Sequence, residues 1–400
     1  MTRNLSEKTV QIVRATTPVL EVHGMAIVRR MYERMFAEPA IRDLFNHSHQ
    51  DEAGAQPRAV TGAILAYAKN IDRLDVLGPA VERIAQKHAG LQIQPEHYPH
   101  VGNALLGAIK DVLGDAATDE VLEAWGEAYW FLADILIGRE KQIYETAAAA
   151  PGGWAGWRDF VVTGKLRESE IITSFVLRPV DGGPVLHHRP GQYLTFWLEI
   201  PGQPAVKRNY SISSAPNDDH YRISVKREGL ASSWLHDAAE LGTVLKVAAP
   251  AGEFFLSEAP QAPVVLLSGG VGLTPMVSML HSVARLADVD VHYVHGTLNG
   301  GTHALKQEVR DVARRRTNIQ STVFYLEPRA GDRAGVDYQQ PGLVTPHWLK
   351  ANTPVDSAHY YLCGPRPFLK ALVNGLSGLG VPATRIHYEF FGPADDLQAA

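Results

Sequence analysis

The spacing of apolar residues changes twice along the chain, and this change limits the possible folds more than any other feature of the sequence. From residue 5 to about residue 146 the spacing is that of amphipathic helices, as in the stripe formed by Val121, Trp125 and Ala128. Residues 157–258 instead carry short β-rich runs separated by turn residues, without helical patterns between them. From residue 262 onward, apolar strands alternate with helical stretches. A single uniform fold is therefore excluded.

The three segments predict a multidomain chain with three architectures. These are an all-α domain, then an antiparallel β-barrel, then an α/β domain with an open parallel sheet. The run that ends in Pro151, Gly152 and Gly153 loses helical periodicity and has the composition of a domain boundary. We place the helical domain at residues 1–147, a linker at 148–156, the barrel at 157–260 and the α/β domain at 261–400.

Composition and charge exclude several classes of partner. The chain has 400 residues, a formal net charge of -5 and only one short basic run, residues 314–316, which we predict to be a solvated helix face. Nothing therefore favours nucleic acid or an anionic membrane. The N-terminus has no secretory signal, and the longest weakly charged run, residues 264–280, is too short and too interrupted to span a bilayer. Cys363, the single cysteine, fits a reducing compartment, and we expect a cytoplasmic monomer without a membrane anchor.

One predicted helix carries a histidine on its apolar face. Pro79 suits its first turn and Gly90 suits a C-terminal stop. Ile84, Ala85 and His88 then fall on the face that should point inward. A histidine in this setting is more often a hydrogen-bonded core residue than a metal ligand, and the pattern alone leaves both possibilities open.

Two loops in the α/β segment follow buried strands. The first contains Gly269, Gly270 and Gly272 and leads into a helix that starts near Thr274. Small residues at this place let backbone N–H groups approach a pyrophosphate at the N-terminus of the helix. A proline stands where the third glycine of the usual dinucleotide fingerprint would be, so a tight strand-to-helix turn is the alternative. The second loop, residues 363–365, is predicted to lie at the same edge of the sheet.

The barrel segment carries polar and aromatic residues on neighbouring strand ends. They occur in the motifs PGQY, residues 190–193, and RNYSIS, residues 208–213. Aromatic faces can sandwich a planar cofactor ring, and Arg208 can bind phosphate through two hydrogen bonds. Ordinary barrel surface with cross-strand aromatic pairs is the simpler alternative for these two motifs taken alone.

Together, the motifs RNYSIS, SGGVGLTPM, YYLCGP and the C-terminal YEFFGP resemble the ferredoxin-NADP-reductase superfamily in order and spacing. The helical segment adds the globin-like motifs YERMF, FNHSHQ and QKHAG, and the whole chain then resembles the bacterial flavohaemoglobins. This resemblance covers nearly all of the sequence. It implies haem b in the helical domain, FAD on the barrel, and NADH or NADPH on the α/β domain.

The resemblance also implies roles for residues of the helical domain. His88 matches the proximal ligand of the haem iron, and Tyr98 and Glu140 match residues that hold its imidazole from behind. On the distal side, Tyr32 matches a tyrosine and Gln56 a glutamine that face the bound gas. The other matches are Phe45, which wedges the haem, Val60, the distal apolar residue, and Lys87, which reaches toward the flavin. Core packing alone would account for Tyr32 and Phe45, and solvation alone for the charges of Lys87 and Glu140.

In the reductase part the resemblance implies two sets of cofactor-binding residues. The FAD set is Tyr193, Arg208, Asn209, Tyr210, Ser211 and Ser232, with Glu389, Phe390, Phe391, Gly392 and Pro393 at or beside the flavin ring. The nicotinamide-nucleotide set is Gly269, Gly270, Val271, Gly272, Leu273, Thr274 and Pro275, with Cys363, Gly364 and Pro365 close to the nicotinamide. The stretch VHGTLNGG has no arginine or lysine for a 2′-phosphate, which favours NADH.

The activity that this resemblance implies is nitric oxide dioxygenation. Nitric oxide and dioxygen would be converted to nitrate, with electrons passing from NAD(P)H through FAD to the haem. The Tyr32 hydroxyl would stabilise negative charge on oxygen, and Glu140 would tune the iron through His88. Two other functions stay open: a reductase that passes electrons to hydroperoxides or other acceptors, and a globin that only binds dioxygen or nitric oxide. The flavin and phosphate-loop motifs disfavour pure binding.

Overall fold

The computed structural model describes residues 5–42, 55–257, 259–286 and 288–391, except for the side chains of residues 39, 40, 55, 56, 74 and 286. The chain divides into two compact units. The first is built on residues up to Ala148, and the second on residues from Ala149 onward, apart from segment 205–207, which groups with the first. The predicted domain limits at residues 147 and 260 stay predictions.

The first unit is helical, as predicted. Its described α-helices are α1 (Glu7–Ala15), α2 (Thr17–Phe36), α3 (Pro39–Arg42), α4 (Ala55–Lys69), α5 (Gly78–Leu91), α6 (Tyr98–Leu113) and α7 (Asp119–Ala149). The Ser6 side chain caps α1 by accepting from the backbone N–H of Thr9, at 3.0 Å. Helix α2 buries Leu20, Ile27 and Met31 at helical spacing, so that its apolar stripe faces the core.

Two boundaries in this unit differ from the sequence prediction. Gly90 was predicted to end α5, but the helix continues through Gly90 to Leu91. The left-handed residue that ends it is Gln92, with φ of 60°, and the backbone N–H of Gln92 still bonds to Ala89 O at 3.1 Å. Helix α7 continues to Ala149, into the segment predicted as a linker, because the alanine run there is itself a good helix former.

The second unit begins with an antiparallel sheet of six strands. They are β1 (Trp157–Arg167), β2 (Ile172–Pro179), β3 (Tyr193–Leu198), β4 (Val206–Ser211), β5 (Tyr221–Lys226) and β6 (Val244–Ala248), in the order β4-β3-β6-β1-β2-β5. An antiparallel bridge between Ile212 and Ile223 joins the two ends of this order, which closes the sheet into a barrel. The predicted barrel is therefore confirmed.

One helix in the barrel was missed. Residues 157–258 were predicted to contain strands without helices, but α8 (Leu230–Ala238) lies between β5 and β6. The helix has only 9 residues, two of them serines. Its apolar residues Ala231 and Leu235 are buried four positions apart. So short an amphipathic pattern resembles a loop in sequence, and tertiary packing stabilises the helix.

The α/β part of the second unit has a parallel sheet. Its strands are β7 (Val264–Gly269), β8 (Val291–Thr297), β9 (Ile319–Tyr325), β10 (Gln340–Pro341), β11 (His359–Cys363) and β12 (Ile386–Glu389), in the order β10-β9-β8-β7-β11-β12. The described helices that accompany them are α9 (Leu273–Leu286), α10 (Lys306–Arg315), α11 (Pro346–Asn352) and α12 (Arg366–Gly378). Strand β7 is buried along its whole length, as a central parallel strand should be.

Both faces of this sheet are covered. Residues of one face, such as Leu266 and Tyr293, pack with α9, while those of the other face, such as Val265 and Tyr360, pack with α12. The carboxyl ends of β7 and β11 therefore meet at one edge of the sheet, where ligands of open α/β sheets bind. Among the helices that the structure describes, none combines the length and the apolar character needed to cross a membrane.

Candidate functional site

His88 lies at the centre of a hydrogen-bonded group in the first unit. Its Nδ1 is 2.7 Å from Oε1 of Glu140, and the hydroxyl of Tyr98 donates to the same oxygen at 2.6 Å. The Nδ1 of His88 is also 3.2 Å from the Tyr98 hydroxyl. Because an ionised carboxylate only accepts hydrogen bonds, this arrangement places the imidazole proton on Nδ1. The predicted trio of His88, Tyr98 and Glu140 is thus brought together in space.

The other ring nitrogen of His88 is available to a ligand. In the described part of the chain, Nε2 has no hydrogen-bonding partner, and with the proton on Nδ1 it carries a lone pair. An imidazole held from behind by a carboxylate, with its second nitrogen free, is the usual arrangement of a histidine that binds a metal. His88 therefore fits the iron of a haem better than it fits a hydrogen-bonded core position.

The residues behind His88 are firmly held. Glu140 is only 2% exposed, and burial together with the Glu140 hydrogen bond raises the pKa of Tyr98 well above its usual value. Two tyrosines that sequence reasoning missed add to the support: Tyr129 donates to the backbone oxygen of Tyr98 at 2.5 Å, and Tyr144 donates to that of Ile93 at 2.7 Å. Tyr129, Glu140 and Tyr144 all belong to α7. No sequence motif, however, marks the two tyrosines as supports of the His88 group.

The distal residues lie in a different group of packed side chains. Tyr32 is 8% exposed on α2 and belongs to the main apolar core of the first unit, against which Val60 of α4 also packs. The ring of Tyr32 lies 5.3 Å from that of Phe36. Phe45 and the side chain of Gln56 lie outside the described residues, so their assigned roles stay predictions, as does that of Lys87.

Residues of the barrel assigned to FAD show features of a cofactor site. The hydroxyl of Tyr193, at the start of β3, is buried and has no hydrogen-bonding partner among the described residues. An unpaired buried hydroxyl is costly, so it suits a polar atom of a ligand. Burial lowers the pKa of Arg208 and raises that of Tyr210 to about 12. A partly desolvated guanidinium at this place suits a phosphate oxygen.

Two other residues of the FAD set are occupied by local hydrogen bonds. The Ser232 hydroxyl accepts from the backbone N–H groups of Glu228 and Gly229, both at 2.9 Å, and donates to Gly229 O. It therefore fixes the start of α8. The Asn209 side-chain oxygen accepts from Thr195 at 2.9 Å. Ser211, two residues after Asn209 on β4, is buried.

The two loops at the edge of the parallel sheet meet directly. Gly270 has φ of +54°, which favours glycine, and open space lies where its side chain would be. Gly272 lies so close to the second loop that a Cβ there would overlap the carbonyl oxygen of Cys363. Leu273 begins α9, the Thr274 hydroxyl donates to Val271 O at 3.1 Å, and Pro275 follows in the first turn. Glycines at these two positions suit the close approach of a pyrophosphate to the backbone of the loop.

Glu389 lies at the end of β12, opposite Cys363 of β11 in the strand register. Burial raises the pKa of Cys363 well above its usual value, and the charge of Glu389 adds to the shift. The same two causes, burial first, raise the pKa of Tyr193. Barrel and α/β residues assigned to the flavin therefore lie within electrostatic reach of one another.

The residues that follow Glu389 divide between the core and the surface. Phe390 packs on the α/β core, whereas Phe391 is 43% exposed, as suits a ring that stacks on a planar cofactor. Gly364 and Pro365 follow β11 in the second loop, and Gly392 and Pro393 lie outside the described residues.

A carboxylate near the expected ribose position was missed in the sequence. After β8, the backbone N–H of Gly300 donates to Oδ2 of Asp332 at 3.1 Å. The backbone N–H of Arg329 donates to the same oxygen of Asp332 at 2.8 Å, while the Arg329 side chain makes two hydrogen bonds to Glu170, at 2.6 and 2.8 Å. Leu298, on the same loop, is 48% exposed. Asp332 lies far from the loop in sequence, and no motif connects the two.

Two known families match the helical part and the α/β part of the chain. Residues 29–136 match the Globin family, and residues 266–374 match the Oxidoreductase NAD-binding domain. The chain is 53% identical over 403 residues to a flavohemoprotein of Xylella fastidiosa, with all of both chains covered. The chain belongs to the flavohemoprotein family. A flavohemoprotein of Rhodopirellula baltica is 47% identical over 407 residues, covering 99% of this chain and 100% of the relative.

Solved structures of the family agree with this fold. A flavohemoglobin from Malassezia yamatoensis, solved with bound FAD and heme, superposes with a TM-score of 0.85 at 25% identity, covering 98% of this chain and 100% of that one. The FAD/NAD-binding domain of a nitric oxide dioxygenase from Vibrio cholerae superposes with a TM-score of 0.54 at 39% identity, covering 59% of this chain and 99% of that one. The predicted family and fold class are both confirmed.

Proposed function

We propose that this protein is a nitric oxide dioxygenase that converts nitric oxide and dioxygen to nitrate with electrons from NAD(P)H. The observation that carries the proposal is the group formed by His88, Tyr98 and Glu140, which leaves Nε2 of His88 free for a metal. The same chain carries an oxidoreductase NAD-binding domain. A relative of its reductase part comes from a nitric oxide dioxygenase, which supports this activity over the two alternatives.

Three cofactors fit the residues that the structure describes. When bound, haem supplies the iron at which the two gases react. FAD accepts two electrons from a hydride donor and passes them on one at a time. Nε2 of His88 would hold the iron. Tyr193, Arg208, Tyr210 and Ser211 would hold FAD, and the loop around Gly270 would hold the pyrophosphate of the nicotinamide nucleotide.

Behind His88, this chain contributes the carboxylate of Glu140. Oε1 of Glu140 accepts from His88 and from Tyr98, so it keeps the imidazole proton on Nδ1 and fixes the direction of the ring. A carboxylate in this position increases the basicity of the imidazole and its donation of electrons to a metal. Tyr129 orients the backbone of Tyr98 by donating to its carbonyl oxygen.

On the substrate side, Tyr32 is the residue that we assign to oxygen. It is buried in the same apolar core as Val28, Met31 and Met35, so its hydroxyl would donate in largely apolar surroundings. A donor fixed in such surroundings stabilises negative charge that develops on oxygen more than water would, because it needs no reorganisation. Gln56 is assigned as the second donor and Val60 as the apolar wall.

In the reductase part, the assigned residues would hold the nicotinamide nucleotide and the flavin beside each other. The contact between Gly272 and the Cys363 carbonyl closes the two loops onto each other beside the assigned nicotinamide position. Buried Cys363 stays a thiol, because burial raises its pKa, so no thiolate competes for the nicotinamide ring. Phe391 offers an exposed ring for stacking on the flavin.

The test is nitric oxide consumption at an electrode by protein loaded with haem and FAD. Consumption that requires both NADH and O2, and that yields nitrate, is the expected result. Tyr32→Phe should lower this turnover and speed release of O2, since it removes only the hydroxyl. Slow consumption despite rapid reduction of both cofactors would contradict the proposal and favour a reductase with another acceptor.

We infer further that NADH is preferred over NADPH. A 2′-phosphate would meet the carboxylate of Asp332, which lies between β9 and β10 and accepts from the backbone N–H of Gly300 on the loop after β8, whereas Arg329 is already paired with Glu170. An acidic residue at this place suits ribose hydroxyls and repels a phosphate. The ratio of kcat/KM for NADH to that for NADPH should exceed about 10, and Leu298→Arg should lower it about tenfold or more, which corresponds to at least about 1.4 kcal/mol. An unchanged ratio in this variant would contradict the inference.

We also propose a cytoplasmic monomer. The support for this compartment is the buried position of Cys363, the single cysteine of the sequence, which leaves no disulfide to be formed in an oxidising environment. Sedimentation of the protein loaded with haem and FAD would show one species of about the chain mass, 43.8 kDa. A concentration-dependent dimer would contradict the second half of the proposal.

A further inference from the structure

Two histidines meet at the amino end of the parallel sheet, away from the cofactor loops. His359 is the first residue of β11, and His387 is the second residue of β12, which lies at the edge of the sheet. In the register of the two strands, His387 is opposite Tyr361. Because side chains alternate along a strand, His359 and Tyr361 share one face. Cys363 follows four residues later, about 13 Å along the strand.

The two imidazole rings lie nearly parallel, with their centroids 5.5 Å apart. Nδ1 of His359 lies 3.2 Å from Nε2 of His387, and the ring planes are 9° apart. Two histidine nitrogens on a tetrahedral zinc ion, each about 2.0–2.1 Å from it, are about 3.3–3.4 Å apart. The separation of the two nitrogens is therefore within about 0.2 Å of that of two ligands of one metal ion.

The surroundings keep both rings in the neutral form. Burial lowers the pKa of both histidines; the charge of Arg385 adds to the shift of His359, and His359 adds to that of His387. Both rings are thus neutral near pH 7, which is the form that binds metals. The Tyr361 ring lies 4.6 Å from that of His387 at 19° and supports it from one side.

We propose that His359 and His387 form a binding site for a late divalent transition-metal ion such as Zn2+ or Cu2+. Neutral imidazole suits these ions, and water would complete the coordination. Without an ion, the two nitrogens share one hydrogen in an N–H···N bond. On binding, the donor ring moves that proton to its other nitrogen, so no proton is released.

The hydrogen bonding of the two rings allows this proton to move to the other nitrogen of the donor ring. The far nitrogens, Nε2 of His359 and Nδ1 of His387, have no hydrogen-bonding partner within the described ranges. Either of them can therefore take the proton without breaking another bond. Both side chains are only partly buried, so an ion can reach them from the edge of the sheet. The lone pairs then converge by a change in ring orientation, while the pairing of β11 and β12 is kept.

The test uses the full chain loaded with haem and FAD, purified without a polyhistidine tag and treated with a chelator. Zn2+ binding is measured by competition with a fluorescent zinc indicator. The unaltered chain should bind one equivalent of Zn2+ at this site. In each of H359Q and H387Q this equivalent should be lost, or its Kd should rise at least tenfold. H347Q, at an exposed histidine of α11, serves as the matched control and should bind as the unaltered chain does. Reduction of FAD by NADH should be unchanged in all three variants.

Cu2+ provides a second measurement on the unaltered chain. Its electron paramagnetic resonance spectrum should show coupling to two imidazole nitrogens, and each substitution should reduce the coupling to one or none. The spectrum of the unaltered chain would remain a test of the proposal even if a variant failed to fold. Equal Zn2+ affinity in H359Q, H387Q and the unaltered chain would overturn the proposal and leave the pair as a structural hydrogen bond. A copper spectrum without two nitrogen couplings would overturn it as well.

Discussion

Each unit of the molecule contains a histidine bound to a glutamate, and the two pairs differ in what else touches the carboxylate. In the first unit, Glu140 accepts from His88 at 2.7 Å and from the Tyr98 hydroxyl at 2.6 Å. In the second, Glu308 of α10 lies 2.5 Å from Nε2 of His281 and also accepts two hydrogen bonds from Arg222 of β5, at 2.7 and 2.8 Å. Only the second carboxylate carries a bidentate guanidinium.

This difference separates a tuning role from a structural one. A carboxylate that holds a guanidinium through two hydrogen bonds has most of its charge neutralised, and here it joins barrel strand β5 to helices α9 and α10. The carboxylate behind His88 has a phenol and an imidazole as donors, so its charge acts on the imidazole. We therefore expect Glu140 to affect turnover and Glu308 to affect stability.

The largest effect is expected from His88→Ala, which removes the proposed iron ligand. Nitric oxide consumption should fall by more than about 100-fold, beyond the range for residues that act on a metal through its ligand. Haem content per chain, from the pyridine haemochrome spectrum, would fall with it. NADH oxidation by ferricyanide, which needs only the second unit, should be kept, and added imidazole should restore part of the haem signal. Full activity in this variant would remove the basis of the proposed function.

Glu140→Gln should lower nitric oxide turnover by about 10–100-fold while the first unit stays folded. The amide keeps the size of the carboxylate but loses the charge that makes the imidazole more basic. The reduction potential of the haem should rise, because the ferric form loses electron donation from His88. Glu308→Gln is the matched control, and it should leave both the potential and the turnover per haem unchanged. An equal loss of turnover in Glu140→Gln and Glu308→Gln would contradict the assignment of a tuning role to Glu140 and a structural role to Glu308.

Glu308→Gln should instead destabilise the second unit by about 1–3 kcal/mol, through loss of charge-assisted hydrogen bonds to Arg222 and His281. We expect the lower end of this range, because the Glu308 side chain is 26% exposed. Thermal unfolding followed by release of flavin fluorescence would measure the change. Haem absorbance should be unaffected at temperatures below this transition.

The contribution of Glu308 should also depend on pH. Burial by itself raises the pKa of this carboxyl, but the hydrogen bonds from His281 and Arg222 outweigh it and lower the pKa from 4.5 to about 2. Since the pKa is lower in the folded state, the stabilisation is complete above pH 4.5 and is lost as the pH falls from 4.5 toward 2. The difference in unfolding free energy between the unaltered chain and Glu308→Gln should shrink over this window. A difference that stays constant there would contradict the assigned pairing.

The smallest effect is expected from Tyr98→Phe, which removes one of the two donors to Glu140. The first unit should lose about 0.5–1.5 kcal/mol of stability, and turnover should fall by less than about tenfold, because His88 keeps its bond to the carboxylate. Urea unfolding and the electrode assay measure the two changes. An effect as large as that of Glu140→Gln would mean that Tyr98, rather than the carboxylate, controls the imidazole.

The sequence predicted the regions with strong periodicity and missed features that depend on neighbours in space. The strands around β1, β2, β7 and β8 were found because their apolar patterns are long and bounded by turn residues. Helix α8 and the left-handed end of α5 at Gln92 were missed. Local propensity favours a glycine at such a helix end, and only the surrounding structure holds glutamine there.

For the candidate site, the residue types were found by resemblance and their contacts by the structure. His88, Tyr98 and Glu140 were named in advance, but the supporting bonds of Tyr129 and Tyr144 were not. Ser232, assigned to FAD, has its hydroxyl engaged in the start of α8. Asp332 was missed because it follows Gly300 only after α10 and β9, so the two residues meet in space and not in sequence.

The sequence by itself determined the order of three architectures and the family of the chain, because periodicity and short motifs are local properties that survive in any fold. The tertiary structure decided which side chains meet. His88 and Glu140 are 52 residues apart, and Arg222 and Glu308 are 86 apart, so that only the packing of whole helices and strands fixes their distances. The same packing decided that one carboxylate is paired with a guanidinium and the other is left to act on an imidazole.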